Sequence, residues 1–361
     1  MGLTLIRHDT NIDFVGMRRI AYVVSIAAML IGLASVAFKG GLSYGIDFAG
    51  GAIVQVKFDR PVADATLKQG LSGTDLPGLV VQRFGEGETD YLIRISHTEE
   101  RADVIRTVVA EALETHIKDA TFEIQRLEMV GPKVGEDLKA KAVEALYYSV
   151  LLIAIYISGR FEQRWMAAAV MAGALAGGMY VLGMLGVPRV WLVFAALGLT
   201  FVLCWKLRLN FALGAIVALV HDVLVTVGVL SLLDKEVDLN IVAALLTLVG
   251  YSLNDTIIVY DRIRETLRGH RKEWSYAHII NASINQTLSR TILTGGTTLA
   301  VLLVLFVLGG GVIHDFALTM LVGVFVGILS SIFVASPILL AFGEPDEQPE
   351  PAPRVGQEGA V

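Results

Sequence analysis

The chain has 361 residues, 54% of them hydrophobic and 18% charged, with a mean hydropathy of +0.63 and a net charge of −6. An ordinary soluble domain carries about 25% charged residues, so this composition excludes one. There is one cysteine, Cys204, which excludes an intrachain disulfide.

The apolar residues fall in runs of about 20, the length that crosses a bilayer core, and the runs are apolar on all faces. No Cys/His cluster has metal spacing, and there is no P-loop, HExxH or GxSxG. No metal, no other cofactor and no nucleic-acid partner is therefore expected, and the chain is not read as an enzyme.

Residues 1–19 form a short polar N-terminus with Arg7, Arg18 and Arg19. Residues 20–38 are the first expected span. Its Ser35-Val36-Ala37 has small residues at both cleavage-type positions, but the run exceeds a signal core of about 7–15 residues and reads as uncleaved. Residues 39–140 are mixed and charged. Alternation predicts strands at Ala52–Phe58, Leu79–Arg83, Tyr91–Ser96 and Thr121–Leu127, with helices at Ala63–Leu71 and Glu99–Ile117. That order is the ferredoxin-like pattern, a small α+β domain set between the first and second spans.

Further spans are expected at Lys141–Ser158, Met166–Gly186, Trp191–Trp205, Phe211–Leu232, Leu239–Tyr260, Leu288–Val307 and Phe316–Ala341, eight with the first. The tail from 343 to 361 is acidic and proline-rich and reads as disordered. Basic residues sort the loops. Arg7, Arg18, Arg19, Arg160, Arg164, Lys206, Arg208, Arg262, Arg264, Arg268, Arg271 and Lys272 lie at one set of loop ends, against Arg189 and Lys235 at the other. This places both termini in the cytoplasm and the 39–140 domain outside. It also requires residues 165–207 to return to the side they left, as a two-pass hairpin or one re-entrant excursion.

Ionisable groups at membrane depth mark functional sites by default. The segment LVGYSLNDTIIVYDRIRE, Leu248–Glu265, carries Asn254 and Asp255 inside an apolar run. Asp255 lies seven residues from the arginines, about 10 Å deep at 1.5 Å per residue. Arg290, in NQTLSRTILTGG, sits at a similar depth of about 12 Å on the next span. His221 and Asp222 lie mid-span in FALGAIVALVHDVLVTVGVL, while His314 and Asp315 sit at a span end and read as interfacial.

Two readings of Asp255 and Arg290 stand. One is a static salt bridge that fixes helix packing. The other is a proton relay, in which the carboxylate takes up a proton when the cation withdraws and releases it when the cation returns. Asp222 is open between a structural hydrogen bond and a second relay acid. Small residues nearby, Gly250, Ser252 and Gly295-Gly296-Thr297-Thr298, suit close helix approach.

The combination of stretches resembles the SecF family of export membrane proteins. GIDFAGG (Gly45–Gly51), MVGPKVGEDL (Met129–Leu138), Phe211–Gly228, Leu248–Glu265, QTLSRT (Gln286–Thr291) and Phe316–Ile338 carry it. The resemblance implies an α-helical polytopic membrane protein, half of an RND-type helix bundle, with one extramembrane α+β ferredoxin-like domain. It implies six spans: residues 20–38, 141–159 and a four-helix core over 211–342.

It further implies proton-motive-force-driven export of polypeptides across the bacterial inner membrane. The implied partners are SecD, the SecYEG channel, YajC, the exported polypeptide and membrane lipid. The family's intramembrane Asp and Arg fall on Asp255 and Arg290. Residues 165–207 depart from the family as an inserted hydrophobic hairpin, with RFE-type turns on either side of it.

In GIDFAGG, the glycines Gly45, Gly50 and Gly51 around Asp47 suit a tight turn at the membrane exit. Two other function classes were weighed. Half of a proton-coupled small-molecule exporter also needs a partner half. An intramembrane aspartyl protease has a Tyr260-Asp261 pair here but no GxGD for the second aspartate.

Overall fold

The computed structural model describes residues 11–83, 89–96, 100–162, 165–187 and 189–343. Arg7, Arg164 and the tail from 344 onward lie outside the described residues. The chain opens with α1 (Arg18–Phe38), then a one-turn helix α2 (Ile46–Ala49). A small domain follows as β1 (Gly51–Phe58), α3 (Asp64–Leu71), β2 (Val80–Arg83), β3 (Asp90–Ser96), α4 (Ala102–His116) and β4 (Phe122–Val130). The rest is helical: α5 (Pro132–Glu162), α6 (Trp165–Met184), α7 (Arg189–Lys206), α8 (Asn210–Leu232), α9 (Leu239–His270), α10 (Tyr276–Leu308) and α11 (Gly311–Ser330). A π-turn (Ser331–Ala335) and α12 (Ser336–Phe342) end it. Seven of the described helical segments are long and apolar enough to cross a membrane, and α7 is a shorter apolar helix.

The strand order β2-β3-β1-β4, all antiparallel, is the ferredoxin-like arrangement. Alternate residues of β1 (Ala52, Val54, Val56, Phe58) face α3 and α4 and are buried with Tyr91, Ile93 and Ile95 of β3. Leu67, Leu71, Ile105, Val109 and Leu113 supply the helical side of this core. The other sheet face, with Gln55, Leu92, Arg94 and Arg126, looks onto the loops that join the membrane helices.

Three helices outrun their expected apolar spans. The second span, expected at 141, is part of α5, which starts at Pro132. Proline suits that first position, where its missing N–H costs nothing. Helix α9 continues to His270, and α10 begins at Tyr276, capped by Ser275, whose hydroxyl accepts the His278 N–H. Hydropathy marks where lipid lies, whereas the backbone ladder continues into water.

Residues 165–207 form two helices, of 20 and 18 residues, packed on one another. Phe161 at the end of α5 meets Phe211 at the start of α8, ring centroids 5.8 Å apart. The hairpin therefore begins and ends at one level.

Two glycine pairs set the close approaches. Gly50 (φ 72°) and Gly51 (φ 131°) hold backbone conformations that side chains avoid. A Cβ on Gly51 would stand 2.3 Å from the Ile95 carbonyl oxygen, and one on Gly50 2.9 Å from Pro132 Cα. In the membrane, Gly32 of α1 and Gly228 of α8 touch directly, each Cβ position 2.7 Å from the other's Cα. Beyond them Ser35 and Ser231 share a hydrogen bond of 2.9 Å, and Lys39 reaches Asp234.

The domain is fastened to the bundle through backbone pairing. Tyr44 and Val237 form a parallel bridge, with Val237 N–H donating to Ser43 O (2.7 Å) and Gly45 N–H to Val237 O (2.9 Å). Arg94 donates to Tyr44 O (2.7 Å) and pairs with Glu236. Burial holds the Arg94 guanidinium below its ordinary pKa. Gly45–Gly51 turns the chain into β1 through the one-turn helix α2, and the Asp47 carboxylate accepts the Leu239 N–H at 3.0 Å at the first turn of α9.

Gly51→Ala is expected to destabilise the sheet domain by about 1–3 kcal/mol, from strain and overpacking. Amide hydrogen exchange in β1 and β3 reads this. Gly73→Ala, where a Cβ meets nothing within 4 Å, is expected to leave it unchanged.

Candidate functional site in the membrane bundle

Helices α8, α9 and α11 surround a buried polar cluster. Asp222, 1% exposed, is its centre. One carboxylate oxygen accepts the hydroxyls of Ser252 on α9 (2.5 Å) and Ser330 on α11 (2.8 Å). The other oxygen meets Nδ1 of His221 at 2.9 Å. Thr226 donates to the Asp222 carbonyl at 2.7 Å. A carboxylate has about four acceptor sites, and three donors meet this one.

Asp255 is equally buried, at 2%, but differently served. Ser252 and Asp255 lie three residues apart on one face of α9, so the two acids stand one helical turn apart. Asp255 lies near Thr294 and Arg290 of α10, and the Thr294 hydroxyl donates to the Arg290 carbonyl of its own helix at 2.9 Å. Of the two readings of Asp255 and Arg290, the direct salt bridge is not seen: among the described residues no ion pair joins them. Instead Arg290 is exposed on the face of α10, and Asn254 is exposed on α9. Asn254 thus lies outside the buried cluster, whereas His221 belongs to it.

Further hydroxyls extend the network. Thr256 and Ser331 meet at 2.9 Å, and Tyr251 donates to Thr298 at 2.6 Å. Thr291 is buried with its hydroxyl unpartnered. The π-turn follows from Pro337, which lacks the N–H that a regular helix needs there. Ser336 then donates to Ser331 O (2.7 Å), and Tyr260 donates to Ala335 O (2.9 Å). Single π-turns of this kind recur at functional sites.

The remaining candidates fall elsewhere. Gly45, Asp47, Gly50 and Gly51 lie at the domain junction described above. Asp315 pairs with Lys235 at 2.7 Å and His314 lies beside it, both at the outer loops. Asp261 is part-exposed and meets Arg160 at 3.4 Å. It is engaged at the helix ends and forms no acid dyad with Asp255.

Of the two small-residue stretches, Gly295 packs against Ile328, but a Cβ on Gly250 would meet open space. Sequence reasoning noticed Ser252 only as a small residue and missed Ser330, which donates to Asp222, and Ser331, which meets Thr256. A serine pair inside an apolar run, Ser330-Ser331, is the signal that was available.

The geometry can be set beside known proteins. The family model "Protein export membrane protein SecD/SecF, C-terminal" matches residues 109–190 and 188–345, two segments meeting within the α6–α7 hairpin. The SecD/SecF GG motif matches residues 36–62. The protein translocase subunit SecF of Magnetococcus marinus is 42% identical over 336 residues, 92% of each chain. That of Vibrio alginolyticus is 37% identical over 359 residues, 99% of this chain and 97% of the other.

The crystal structure of SecDF, a translocon-associated membrane protein from Thermus thermophilus, superposes with a TM-score of 0.67 at 31% identity. It is matched over 95% of this chain, which spans only 39% of that longer one. The chain, a multi-pass membrane protein by its helices, belongs to the SecF family.

Proposed function

We propose that this chain is the SecF subunit of a protein translocase in the bacterial inner membrane, and that with SecD it uses the proton motive force to drive late steps of polypeptide export. The family membership and the relatives' names as translocase subunits support the subunit reading. SecYEG and YajC are the further partners proposed, and an exported polypeptide is the substrate.

One observation carries the proton step. Asp255 is a buried carboxylate with one hydroxyl neighbour and an arginine one turn away that is not bound to it. A buried charge that is incompletely paired is costly, and protonation removes the cost. Movement of Arg290 toward Asp255 favours the ionised form, and movement away favours the protonated form. Asp222 and His221 form the fixed part, because their donors come from three helices at once. Each charge that crosses the potential supplies about 2.3 kcal/mol per 100 mV.

The exposure of Arg290 and Asn254 supports a position for SecD against this face. Charged and amide groups at membrane depth do not face lipid. The α9–α10 face is therefore the surface proposed to be covered by the SecD half. The basic loop ends support an orientation with both termini in the cytoplasm and the sheet domain on the periplasmic side, and the two helices of the α6–α7 hairpin are proposed to cross twice.

Three outcomes test this reading. Asp255→Asn and Arg290→Ala are each expected to abolish proton-driven export in inverted vesicles while insertion and co-purification with SecD stay normal; wild-type export rates in both variants would remove the relay. Asp222→Ala is expected to lower stability by about 1–3 kcal/mol through stranded serine hydroxyls, read as a fall in melting temperature, while Asp222→Asn retains most export. For orientation, a cysteine at Asp119 should react with a membrane-impermeant thiol reagent on spheroplasts, and one at Arg271 only after lysis. The native Cys204 is buried and silent.

A further inference from the structure

Helices α1 and α7 both pack on α8 and form opposite walls of an apolar cavity of 620 Å³. The volume lies in the range of about 300–1,000 Å³ typical of ligand sites. Tyr22, Ser25, Ile26 and Met29 line one wall, Phe194, Leu197, Gly198 and Phe201 the other, and His221 lies on the α8 floor. The α7 wall belongs to the inserted hairpin.

The cavity has a definite depth. From Arg18 to Met29 on α1, from Asn210 to His221 on α8 and from Lys206 to Phe194 on α7 is 11, 11 and 12 residues. Each is about 16–18 Å at 1.5 Å per residue, close to half of a hydrocarbon core of about 30 Å. The groove thus spans one leaflet.

Its mouth is basic. Arg18 and Arg19 lie four and three positions before Tyr22, on the same side of α1. Lys206 and Arg208 are exposed at the end of α7, beside the exposed interfacial Trp205. Four cations at one leaflet's headgroup level, flanking an apolar slot, match a lipid with an acidic head.

We propose that the groove between α1 and α7 binds an anionic phospholipid of the surrounding bilayer, with an acyl chain on α8 and the headgroup between the basic ends of α1 and α7. A protein partner fits the other face better, where Asn254 and Arg290 are exposed. The acyl chain covers His221, whose Nδ1 meets Asp222, and so seals the fixed acid from water. That this leaflet is the cytoplasmic one rests on the orientation proposed above; the site itself does not.

The test uses the full chain with its SecD partner in nanodiscs of mixed phosphatidylglycerol and phosphatidylcholine, with retained lipid counted by native mass spectrometry. The wild type should retain phosphatidylglycerol in preference. A Cβ on Gly198 meets nothing within 4 Å, so Gly198→Trp fills the groove and should lose the retained lipid. Ser25→Phe, filling it from the opposite wall, should do the same.

Gly177→Trp on α6, equally open, should retain lipid as the wild type does. Arg19→Gln with Lys206→Gln should weaken the preference about fivefold per charge removed. Equal retention of the two lipids by the wild type, full retention in both groove-filling variants with unchanged melting temperatures, or cross-linking of Gly198→Cys to SecD would overturn the proposal.

Discussion

Burying the Asp222 carboxylate among α8, α9 and α11 costs several kcal/mol unless donors replace the water it loses. Here Ser252, Ser330 and His221 replace it. Because each serine comes from a different helix, the bond set can form in one rotational and axial setting of the three helices. That setting places Asp255, one turn from Ser252, against α10. The position of the candidate exchanging acid is thus a consequence of how the first acid is satisfied.

The two acids divide the work by their surroundings. Asp222 is closed, with its hydrogen-bonding capacity largely used. Asp255 faces α10, whose C-terminal half is mostly exposed in this chain. The bundle is linked to the sheet domain through Asp47 on α9 and Arg94 on the 232–238 loop. A shift of α9 therefore has a mechanical route to the domain. The Gly32–Gly228 contact holds α1 against α8 one turn beyond the apolar cavity.

Much of this was legible in the chain itself. Runs of 20 apolar residues revealed the helices, alternation in Ala52–Phe58 and Tyr91–Ser96 revealed the sheet, and the misplaced charges singled out Asp255, Asp222 and Arg290. Helix ends were less legible, because α9 and α10 continue past the lipid on amphipathic turns that hydropathy does not mark. The choice between a direct Asp255–Arg290 bridge and a separated pair was not legible for a different reason. Depth was readable from residue counts, but azimuth around α10 was not, and azimuth leaves Arg290 exposed. The role of Ser330 was hidden because a hydroxyl in a membrane helix usually bonds its own backbone, as Thr247 does to Ala243. Only the assembled bundle shows which hydroxyls turn outward to an acid. The reach of Asp47 to the Leu239 N–H was not legible, because that partner lies nearly two hundred residues away.

The central claim is that Asp255 exchanges the proton while Asp222 holds a fixed state. Infrared difference spectroscopy of the reconstituted protein across a pH titration tests it directly, through the carbonyl stretch of a protonated carboxylic acid. The account predicts a titrating band that disappears in Asp255→Asn and persists in Asp222→Asn. A band that persists in Asp255→Asn and disappears in Asp222→Asn would contradict it.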